Sequence, residues 1–503
     1  MGNAGRDWDD SFDVVVAGSG AGAMTGALVA AASGLRTVIL EKTDLLGGTS
    51  AYSGASIWLP GTQVQQRANL DDSTENARTY LRALLGDDGE AHRESFLAAA
   101  PEVVEFLERD PVIEFKWSPF PDYFARPGRM DLGRSFMPLD LPLEELGDSA
   151  ALVRPPVDRD RAGKGHDPSA PLQQGRALIG RLLLAFLNSG NGTVRTGTGL
   201  TELIIEDGRV VGVEAGGLRL RAERGVLLAA GGYENDAAMR GDLPGDAAWT
   251  MAPGGNTGDA INAATRIGAA TGPLDQAWWC PGTADPGGRA SFTLGFRGGL
   301  MVDGTGTRFA NESLPYDQMG RAMMGHVPAH LVFDSRSKGR LPAISLPGAS
   351  PADNLEAGTW VKADTLDELA EAIGVPAAAL TAGVERFNGF AEKGVDEDFH
   401  RGEDPYDTFF AAGDGPNPCL VPVDQPPYYA ARMVLSDLGT KGGLRTDPDS
   451  RVLDASGTPV PGLYAAGNTT SSFTGAHYPG PGIPIGSAMA FAYRAVQDMK
   501  AGA

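Results

Sequence analysis

The chain has 503 residues, of which 42% are hydrophobic and 21% charged, an ordinary globular balance that excludes wholesale disorder. Its formal net charge of -22 would repel phosphate backbones, so nucleic-acid binding is not expected, and it gives no attraction toward anionic lipid. The two cysteines form no CxxC pair and the six histidines are scattered, so no zinc, iron–sulfur or other metal site is predicted.

The N-terminal region reads as a complete βαβ unit. Phe12–Ala17 is a short, continuous, β-branched run, as in buried parallel strands. A glycine-rich turn leads into a helix rich in small residues, Met24–Ser33, and a second strand follows at Arg36–Leu40. Such crossovers are almost always right-handed, so the pattern predicts a doubly wound, mostly parallel sheet.

The middle of the chain alternates helices, loops and short strands. Pro, Gly, Asp and Arg dominate Trp117–Pro171, which predicts loops there. The predicted helices up to residue 230 are Thr74–Leu85, within a helical stretch from 72 to 110, and Ala177–Asn188. The predicted strands are Leu203–Glu206, Arg209–Ala215, Leu218–Ala222 and a separate buried strand at Gly225–Ala230.

Near residue 280 the pattern changes, and the nucleotide-type elements return only near the C-terminus. The later predicted elements are a hairpin from Leu300–Val302 to Arg308–Phe309, helices at Asp364–Ile373, Ala377–Lys393 and Ser487–Met499, and a strand at Gly462–Ala466. We therefore expect an α/β fold in which a Rossmann-like domain (1–279 and 438–503) is interrupted by an inserted α+β catalytic, or capping, domain (280–437).

The first strand ends in the motif Gly18-x-Gly20-x-x-Ala23. Gly18 permits the tight turn, Gly20 lets the backbone approach a pyrophosphate, and Ala23 keeps helix and strand close. Glu41 follows the second strand, where an acid can bind a ribose hydroxyl. Because strand, turn, helix, strand and acid occur in order, the sequence predicts dinucleotide binding.

Two further glycine elements favour FAD over NAD. One ends a strand at Ala230-Gly231, and the other is Gly467-Asn468 near the C-terminus. This layout resembles the flavoproteins of the fumarate reductase and succinate dehydrogenase group. Residues 43–61 contain no histidine, so the FAD should be non-covalent. The candidate FAD-binding residues are Gly18, Ser19, Gly20, Ala21, Gly22, Ala23, Glu41, Lys42, Gly48, Thr49, Ser50, Ser53, Gly54, Ala230, Gly231, Asp259, Gly467 and Asn468.

Within that group the chain resembles the 3-ketosteroid Δ1-dehydrogenases over essentially its whole length. The stretches that carry the resemblance are Glu41–Gly61, Asn311–Arg321, Ser436–Leu444 and Tyr478–Gly482. The resemblance implies that the enzyme introduces a double bond between C1 and C2 of a 3-ketosteroid, with FAD as the acceptor of the C1 hydride.

The resemblance also assigns roles to four residues. Tyr478 and the backbone N–H of Gly482 would bind the C3 carbonyl oxygen, in the manner of an oxyanion hole. Tyr316 would take the proton from C2, and Tyr123 would hydrogen-bond Tyr316 and make it more basic. A free tyrosine has a pKa of about 10, so the base works only if carbonyl polarisation first acidifies the C2–H bond.

Three alternatives stay open. A sister ketosteroid dehydrogenase acting at C4–C5 would share carbonyl binding but place its base differently. A fumarate reductase-like enzyme would need cationic clamps, yet residues 471–486 contain no arginine, and Tyr316 stands where that family has its arginine acid. A flavin electron carrier would leave the tyrosines unexplained.

The expected partners are a small 3-ketosteroid and an external electron acceptor, a quinone or a carrier. The polar, acidic first ten residues and the lack of an apolar run of about 18 residues predict a cytoplasmic protein without a transmembrane segment. Peripheral membrane attachment and the oligomeric state stay open.

Overall fold

The computed structural model describes residues 7–241 and 243–502 and divides them into two compact units. Unit one comprises residues 7–241, 252–276 and 439–502. Unit two comprises residues 243–251 and 277–438. Unit one therefore consists of three stretches of chain, and no pattern in the sequence indicates that the short segment 243–251 belongs with unit two.

The strands, in chain order, are β1 (Asp10–Ala17), β2 (Thr37–Leu40), β3 (Phe115–Trp117), β4 (Phe136–Pro138), β5 (Gly192–Arg195), β6 (Leu200–Glu206), β7 (Arg209–Ala215), β8 (Leu218–Leu228), β9 (Ala277–Ala284), β10 (Ala290–Leu294), β11 (Leu300–Val302), β12 (Ala329–Asp334), β13 (Ile344–Leu346), β14 (Trp360–Ala363), β15 (Tyr428–Thr440), β16 (Arg451–Leu453) and β17 (Pro459–Ala465).

The helices are α1 (Ala21–Ala32), α2 (Gly48–Tyr52), α3 (Gln63–Arg67), α4 (Thr74–Leu85), α5 (Glu90–Leu107), α6 (Leu143–Leu146), α7 (Val157–Arg161), α8 (Gln174–Asn188), α9 (Ala237–Arg240), α10 (Asp259–Arg266), α11 (Tyr316–Ala322), α12 (Pro351–Glu356), α13 (Leu366–Ile373), α14 (Ala377–Lys393), α15 (Pro405–Phe409) and α16 (Ile483–Ala501).

The main sheet of unit one has the strand order β16-β17-β8-β1-β2-β5, with β7 paired to β8 and β6 to β7. From β17 to β5 the neighbours in this order are parallel. The register pairs Ala17 with both Leu40 and Leu228, and Leu228 with Ala465. The carboxyl ends of β1, β2, β8 and β17 are therefore level at one edge of the sheet, where doubly wound folds bind their ligands.

Small residues bring α1 close to the sheet and to α16. A Cβ added at Gly26 would lie 2.5 Å from the Leu227 side chain, and one at Gly22 would lie 3.0 Å from Ala488. Eleven of the twelve residues of α1 are buried, as its apolar, alanine-rich sequence requires. Close packing fixes the helix N-terminus against the end of β1.

Unit two is built on a second sheet, ordered β11-β12-β15-β9-β10-β13, with β14 paired to β15. The pairs β9–β10, β10–β13, β11–β12, β12–β15 and β14–β15 are antiparallel. Leu300, Val332 and Ala430 from the sheet share an apolar core with Leu369 of α13 and Phe387 of α14. The layer of helices on an antiparallel sheet matches an α+β unit.

The α/β fold class predicted from the sequence is confirmed, and α4 and α14 have the predicted bounds. Several other predicted boundaries are wrong, three of them for a clear physical reason. Gly225–Ala230 is not a separate strand, because β8 continues unbroken from Leu218 to Leu228. The first helix begins at Ala21 rather than Met24, and the last begins at Ile483 rather than Ser487. In both cases the glycine-rich or Pro-containing residues that the prediction left in the preceding turn already have helical geometry.

Candidate active site

Four glycine-containing loops meet at the carboxyl edge of the unit-one sheet. They follow β1, β2, β8 and β17, whose last residues are aligned by the strand register. These loops carry Gly18 after β1, Glu41 after β2, Ala230 after β8 and Gly467 after β17. The three separated sequence motifs predicted to bind FAD thus lie side by side in space.

The turn between β1 and α1 is tight and leads directly into a buried helix. Gly18 has φ +102°, and a Cβ there would lie 2.3 Å from the Ala229 carbonyl oxygen, so only glycine fits. Gly20 is the N-cap of α1, and a Cβ there would lie 3.4 Å from Ser50 Oγ. Backbone N–H groups at the start of a long buried helix suit an anionic group.

Glu41 is oriented by a network of short hydrogen bonds. One carboxylate oxygen accepts from Ser19 Oγ at 2.5 Å, and the other accepts from the backbone N–H of Thr43 at 2.8 Å and its Oγ1 at 2.9 Å. Ser19 Oγ in turn accepts from the Gly47 N–H at 2.9 Å. The network joins the turn after β1 to Glu41, so the residues predicted to bind the pyrophosphate and the ribose lie close together.

Two further groups of predicted residues are brought together. Ser50 Oγ accepts from the Ala21 N–H at 3.0 Å, which ties α2 to the start of α1. Lys42 Nζ lies 2.7 Å from Asp259 Oδ2, an ion pair whose side chains are a third or more exposed. Asp259 is the first residue of α10, so this pair links the loop after β2 to that helix.

The remaining predicted residues differ in how closely they contact neighbouring residues. Asn468 lies beside Gly439, where a Cβ would approach its Nδ2 to 2.4 Å, and Ser53 Oγ donates to the Ser50 carbonyl at 2.7 Å. At Gly48 and Gly54 an added Cβ would meet nothing within 4 Å. These two glycines face open space within the described part of the chain.

Tyr123 and Tyr478 are neighbours in unit one. Their ring centroids are 5.4 Å apart, both residues are buried, and the Tyr123 N–H donates to the Pro479 carbonyl at 3.0 Å. Gly482 ends the same segment with φ +91° and caps α16. A Cβ at Gly482 would lie 2.1 Å from the Ser56 carbonyl oxygen, so the glycine is required sterically.

Within the described residues, the Gly482 N–H is left available as a hydrogen-bond donor. Among residues 7–241 and 243–502, no carbonyl or side chain accepts a hydrogen bond from it. It precedes α16, whose N-terminal turn contains Pro484 and therefore lacks one N–H group. Gly482 belongs to the same short segment as Tyr478.

Tyr316 is the first residue of α11 in unit two and is 6% exposed. Its ring meets Phe292 edge-on at 5.1 Å between centroids. Four residues earlier, Glu312 accepts hydrogen bonds from Arg308 and Arg401, and Arg308 also pairs with Asp396. Burial alone would raise the pKa of Glu312, but the two guanidinium groups outweigh it and hold that pKa below its ordinary value.

Sequence reasoning missed several residues that shape the dinucleotide region. Arg154 Nη2 lies 3.0 Å from Thr43 Oγ1 and so supports Glu41 from behind, while its Nη1 pairs with Asp160 at 2.7 Å. Asn256 donates to Thr49 Oγ1 at 3.1 Å, and its amide lies beside Gly231. The run Gly254-Gly255-Asn256-Thr257-Gly258 was a visible signal for the second, whereas Arg154 lies in an irregular, loop-rich stretch with no motif.

Within the described residues, no group of three or more His, Cys, Asp or Glu side chains is arranged to hold a metal ion. None of the helices of the described chain combines the length and the apolar character needed to cross a membrane.

Comparison with known proteins identifies the family. The family model for the FAD binding domain matches residues 13–485. A 3-oxosteroid 1-dehydrogenase of Rhodococcus opacus is 44% identical, over 98% of this chain and 99% of that protein. One of Mycobacterium tuberculosis (strain ATCC 25618 / H37Rv) is 40% identical, over 96% of this chain and 97% of that protein.

A solved structure is similar over the same length. The 3-ketosteroid Δ1-dehydrogenase of Sterolibacterium denitrificans, in complex with 1,4-androstadiene-3,17-dione, superposes with a TM-score of 0.89 at 34% identity. The match covers 98% of this chain and 100% of that one. The predicted family resemblance and the predicted FAD cofactor are thereby confirmed. The chain belongs to the FAD-dependent 3-oxosteroid 1-dehydrogenases.

Proposed function

We propose that this enzyme removes two hydrogens from C1 and C2 of 3-ketosteroids, with Tyr478 and the Gly482 N–H on the C3 carbonyl oxygen and Tyr316 as the base. The observation that carries the proposal is the Tyr478–Gly482 segment. There a buried tyrosine, a second tyrosine 5.4 Å away and an N–H without an acceptor in the described chain occur together. The relatives' names support the same substrate and the same bond.

Carbonyl polarisation is the first requirement. A C2–H bond is weakly acidic, and the charge that develops on removal of its proton is an enolate on the C3 oxygen. Two donors on that oxygen, the Tyr478 hydroxyl and the Gly482 N–H, stabilise this charge in a water-poor site. Both residues are held in one short segment of unit one, so their mutual geometry is set before the substrate arrives.

Proton removal is the second requirement, and we assign it to Tyr316. The ring of Tyr316 packs against Phe292, and Tyr316 is the first residue of α11, so its backbone is fixed. Since an ordinary tyrosine has a pKa of about 10, Tyr316 acts only on a C2–H bond that the carbonyl donors have already acidified. Tyr123 belongs to unit one and Tyr316 to unit two, and the hydrogen bond expected between them stays a prediction.

FAD, when bound, supplies the acceptor for the hydride of C1. The residues that would hold it are the amides at the start of α1 for the pyrophosphate and Glu41 for the ribose, with the loops at Ala230 and Gly467 beside them. An external quinone or small carrier would remove the electrons afterwards. A cytoplasmic location, with or without attachment to a membrane surface, stays a prediction.

The proposal is tested by steady-state turnover of the purified, FAD-loaded enzyme with a dye as electron acceptor. We expect turnover with 4-androstene-3,17-dione and none with a steroid that lacks the 3-ketone. With 5α-androstane-3,17-dione, the expected product has its double bond at C1–C2. A C4–C5 product would contradict the assignment in favour of the sister dehydrogenase. Turnover of cyclohexanone alone, without any steroid, would show that the site serves a smaller ketone.

A further inference from the structure

The segment from His477 to Gly482 is held through its carbonyl groups. Tyr80 Oη donates to the Pro479 carbonyl at 2.6 Å, and the backbone N–H of Trp58 donates to the Gly482 carbonyl at 3.2 Å. The His477 carbonyl accepts from Lys441 Nζ and from Thr474 Oγ1. Each of these donors comes from a different part of the chain, so the segment is fixed from several sides.

The carbonyl of Pro481 has a special position, because it belongs to the same peptide group as the Gly482 N–H. It accepts from Ser135 Oγ at 2.6 Å and from Ser56 Oγ at 3.2 Å. A peptide group is planar, with its C=O and N–H pointing in opposite directions. Two hydroxyls that fix the oxygen therefore fix the direction of the N–H, and they polarise the group so that the N–H donates more strongly.

Ser135 itself is rigidly mounted. It is fully buried, and the next residue, Phe136, exchanges both backbone hydrogen bonds with Ile57, at 3.1 and 2.9 Å. The preceding residue, Arg134, is also fully buried and lies between Asp72 and Asp122, at 3.4 and 3.0 Å. The hydroxyl of a serine in a surface loop can leave its protein acceptor and bind water instead. Because Ser135 is fully buried, its hydroxyl stays on the Pro481 carbonyl.

The ion cluster of Arg134, Asp72 and Asp122 also contacts the segment through Trp58. Asp122 Oδ1 accepts from Trp58 Nε1 at 2.8 Å. A Cβ added at Gly480 would lie 2.5 Å from Trp58 Nε1 and 2.9 Å from Asp122 Oδ1. The glycine thus lets the segment lie directly on the indole, which prevents the Pro479–Gly482 backbone from shifting toward the protein interior.

We infer that Ser135, assisted by Ser56, is a positioning residue that aims and strengthens the Gly482 N–H as a donor to the substrate carbonyl. Neither serine is expected to touch the steroid or FAD. The inference rests on the proposed function, since it requires that Gly482 binds the C3 carbonyl oxygen. It predicts that loss of the Ser135 hydroxyl weakens carbonyl polarisation without changing which groups surround the substrate.

The test uses the FAD-loaded enzyme and the variants Ser135→Ala and Ser56→Ala. The first readout is the infrared stretching frequency of the C3 carbonyl in bound 1,4-androstadiene-3,17-dione carrying ¹³C at C3. We expect the wild-type protein to lower this frequency relative to free steroid, Ser135→Ala to lose about half of that lowering, and Ser56→Ala to lose less. The second readout is turnover, for which kcat should fall about tenfold in Ser135→Ala and about threefold in Ser56→Ala, with KM nearly unchanged.

Ser450→Ala is the matched control. Ser450 is also fully buried in unit one, and its Oγ donates to a backbone carbonyl, that of Phe491, at 2.8 Å. It should change neither the carbonyl frequency nor kcat beyond twofold. Ser135→Cys, which keeps a weak donor, should fall between wild type and Ser135→Ala in both readouts.

The outcomes separate this inference from the function on which it rests. If wild type lowers the carbonyl frequency and both alanine variants retain the full lowering and the wild-type kcat, the positioning role is overturned while the proposed function stands. If wild type does not lower the frequency at all, the carbonyl is not bound as proposed. Should Ser135→Ala fail to retain FAD, the half-buried Ser56 decides the question alone, through the smaller shift expected of it.

Discussion

Each of the two units contains a buried ion cluster, and the two clusters are composed differently. In unit one, a single guanidinium, Arg134, lies between the carboxylates of Asp72 and Asp122. In unit two, Glu312 and Asp396 are matched by Arg308 and Arg401. The first cluster has one carboxylate more than it has cations, whereas the second is balanced.

The difference shows in what each cluster touches. Burial raises the pKa of Asp122, and this carboxylate completes its hydrogen bonds with neutral donors, among them Trp58 Nε1. The unit-two ions bind one another and also neutral groups of their own unit, such as the Gly299 carbonyl, and the pKa values of Glu312 and Asp396 lie below their ordinary values. The unit-one cluster thus contacts the segment from Tyr478 to Gly482, which we propose binds the carbonyl, whereas the unit-two cluster holds together parts of its own unit.

The largest effect should come from removing the hydroxyl of Tyr316, the proposed base in unit two. Tyr316→Phe keeps the ring against Phe292 and deletes only the hydroxyl, so steroid and FAD should still bind. Loss of a general base typically costs about 10²–10⁴ in rate. Stopped-flow turnover and equilibrium binding of the product steroid would measure the two separately. A variant that retains a tenth or more of wild-type turnover would remove Tyr316 from the base role.

The next largest effect should come from removing the hydroxyl of Tyr478, the proposed carbonyl donor in unit one. Tyr478→Phe should lower kcat by about 10²–10³, the usual cost of losing one oxyanion-hole donor. Exchange of the C2 hydrogen with deuterated solvent gives a direct comparison. The exchange should be slowed in Tyr478→Phe, because Tyr478 is proposed to polarise the carbonyl. It should be abolished in Tyr316→Phe, because Tyr316 is proposed to take the proton. Unchanged exchange and turnover in Tyr478→Phe would separate it from the carbonyl site.

The two clusters should respond differently to loss of one carboxylate charge. Glu312→Gln leaves Arg308 and Arg401 buried with a single anion, and breaking such a pair typically costs about 3–5 kcal/mol in the free energy of unfolding. Asp122→Asn leaves Arg134 paired with Asp72 and keeps an oxygen for the indole, so the cost should be about 1 kcal/mol. Denaturant unfolding of both variants measures the difference, and equal costs would show that the two clusters are not distinct in kind.

The dependence of stability on pH should be the smallest effect. The pKa of Asp396 is held below its ordinary value because its hydrogen bond and ion pair with Arg308 outweigh the effect of burial. A carboxyl group with a lowered folded-state pKa contributes stability that is present above the ordinary pKa and is lost as pH falls through the folded-state pKa. We therefore expect wild type to lose stability below pH about 4.

Asp396→Asn is the corresponding variant. It should be less stable than wild type at pH 7, and the difference should shrink as the pH falls from 4 toward 3, because the wild-type carboxylate then becomes protonated. Urea unfolding across this range measures it. A difference that stays constant with pH would show that the charge of Asp396 is not what stabilises unit two.

The sequence predicted much of unit one because local patterns carry its fold. The β-branched run of β1, the glycines of the turn and the acid after β2 occur within about thirty residues, so spacing alone reports on three-dimensional proximity. The helix Thr74–Leu85 was predicted with correct bounds because Ser73 is a strong N-cap, and the structure shows it accepting from the Asn76 N–H.

The rest was hidden for physical reasons. β15 is thirteen residues long and mostly buried, but it contains Arg432, Asp437 and Gly439 and lacks the alternation that marks a strand. Ser135 lies among loops, and its relation to Pro481 spans 346 residues of sequence. A hydroxyl that acts on a peptide group so far along the chain has no local signature, and only the fold brings the two together.

The most direct test of the account is to mix the FAD-loaded enzyme with 4-androstene-3,17-dione in the absence of oxygen and of any other acceptor. We expect the flavin absorbance to bleach in a single turnover, with 1,4-androstadiene-3,17-dione as the product, and we expect Tyr316→Phe to bind the steroid without bleaching. A flavin that stays oxidised in wild-type protein with bound steroid, or a product altered anywhere other than at C1 and C2, would contradict it.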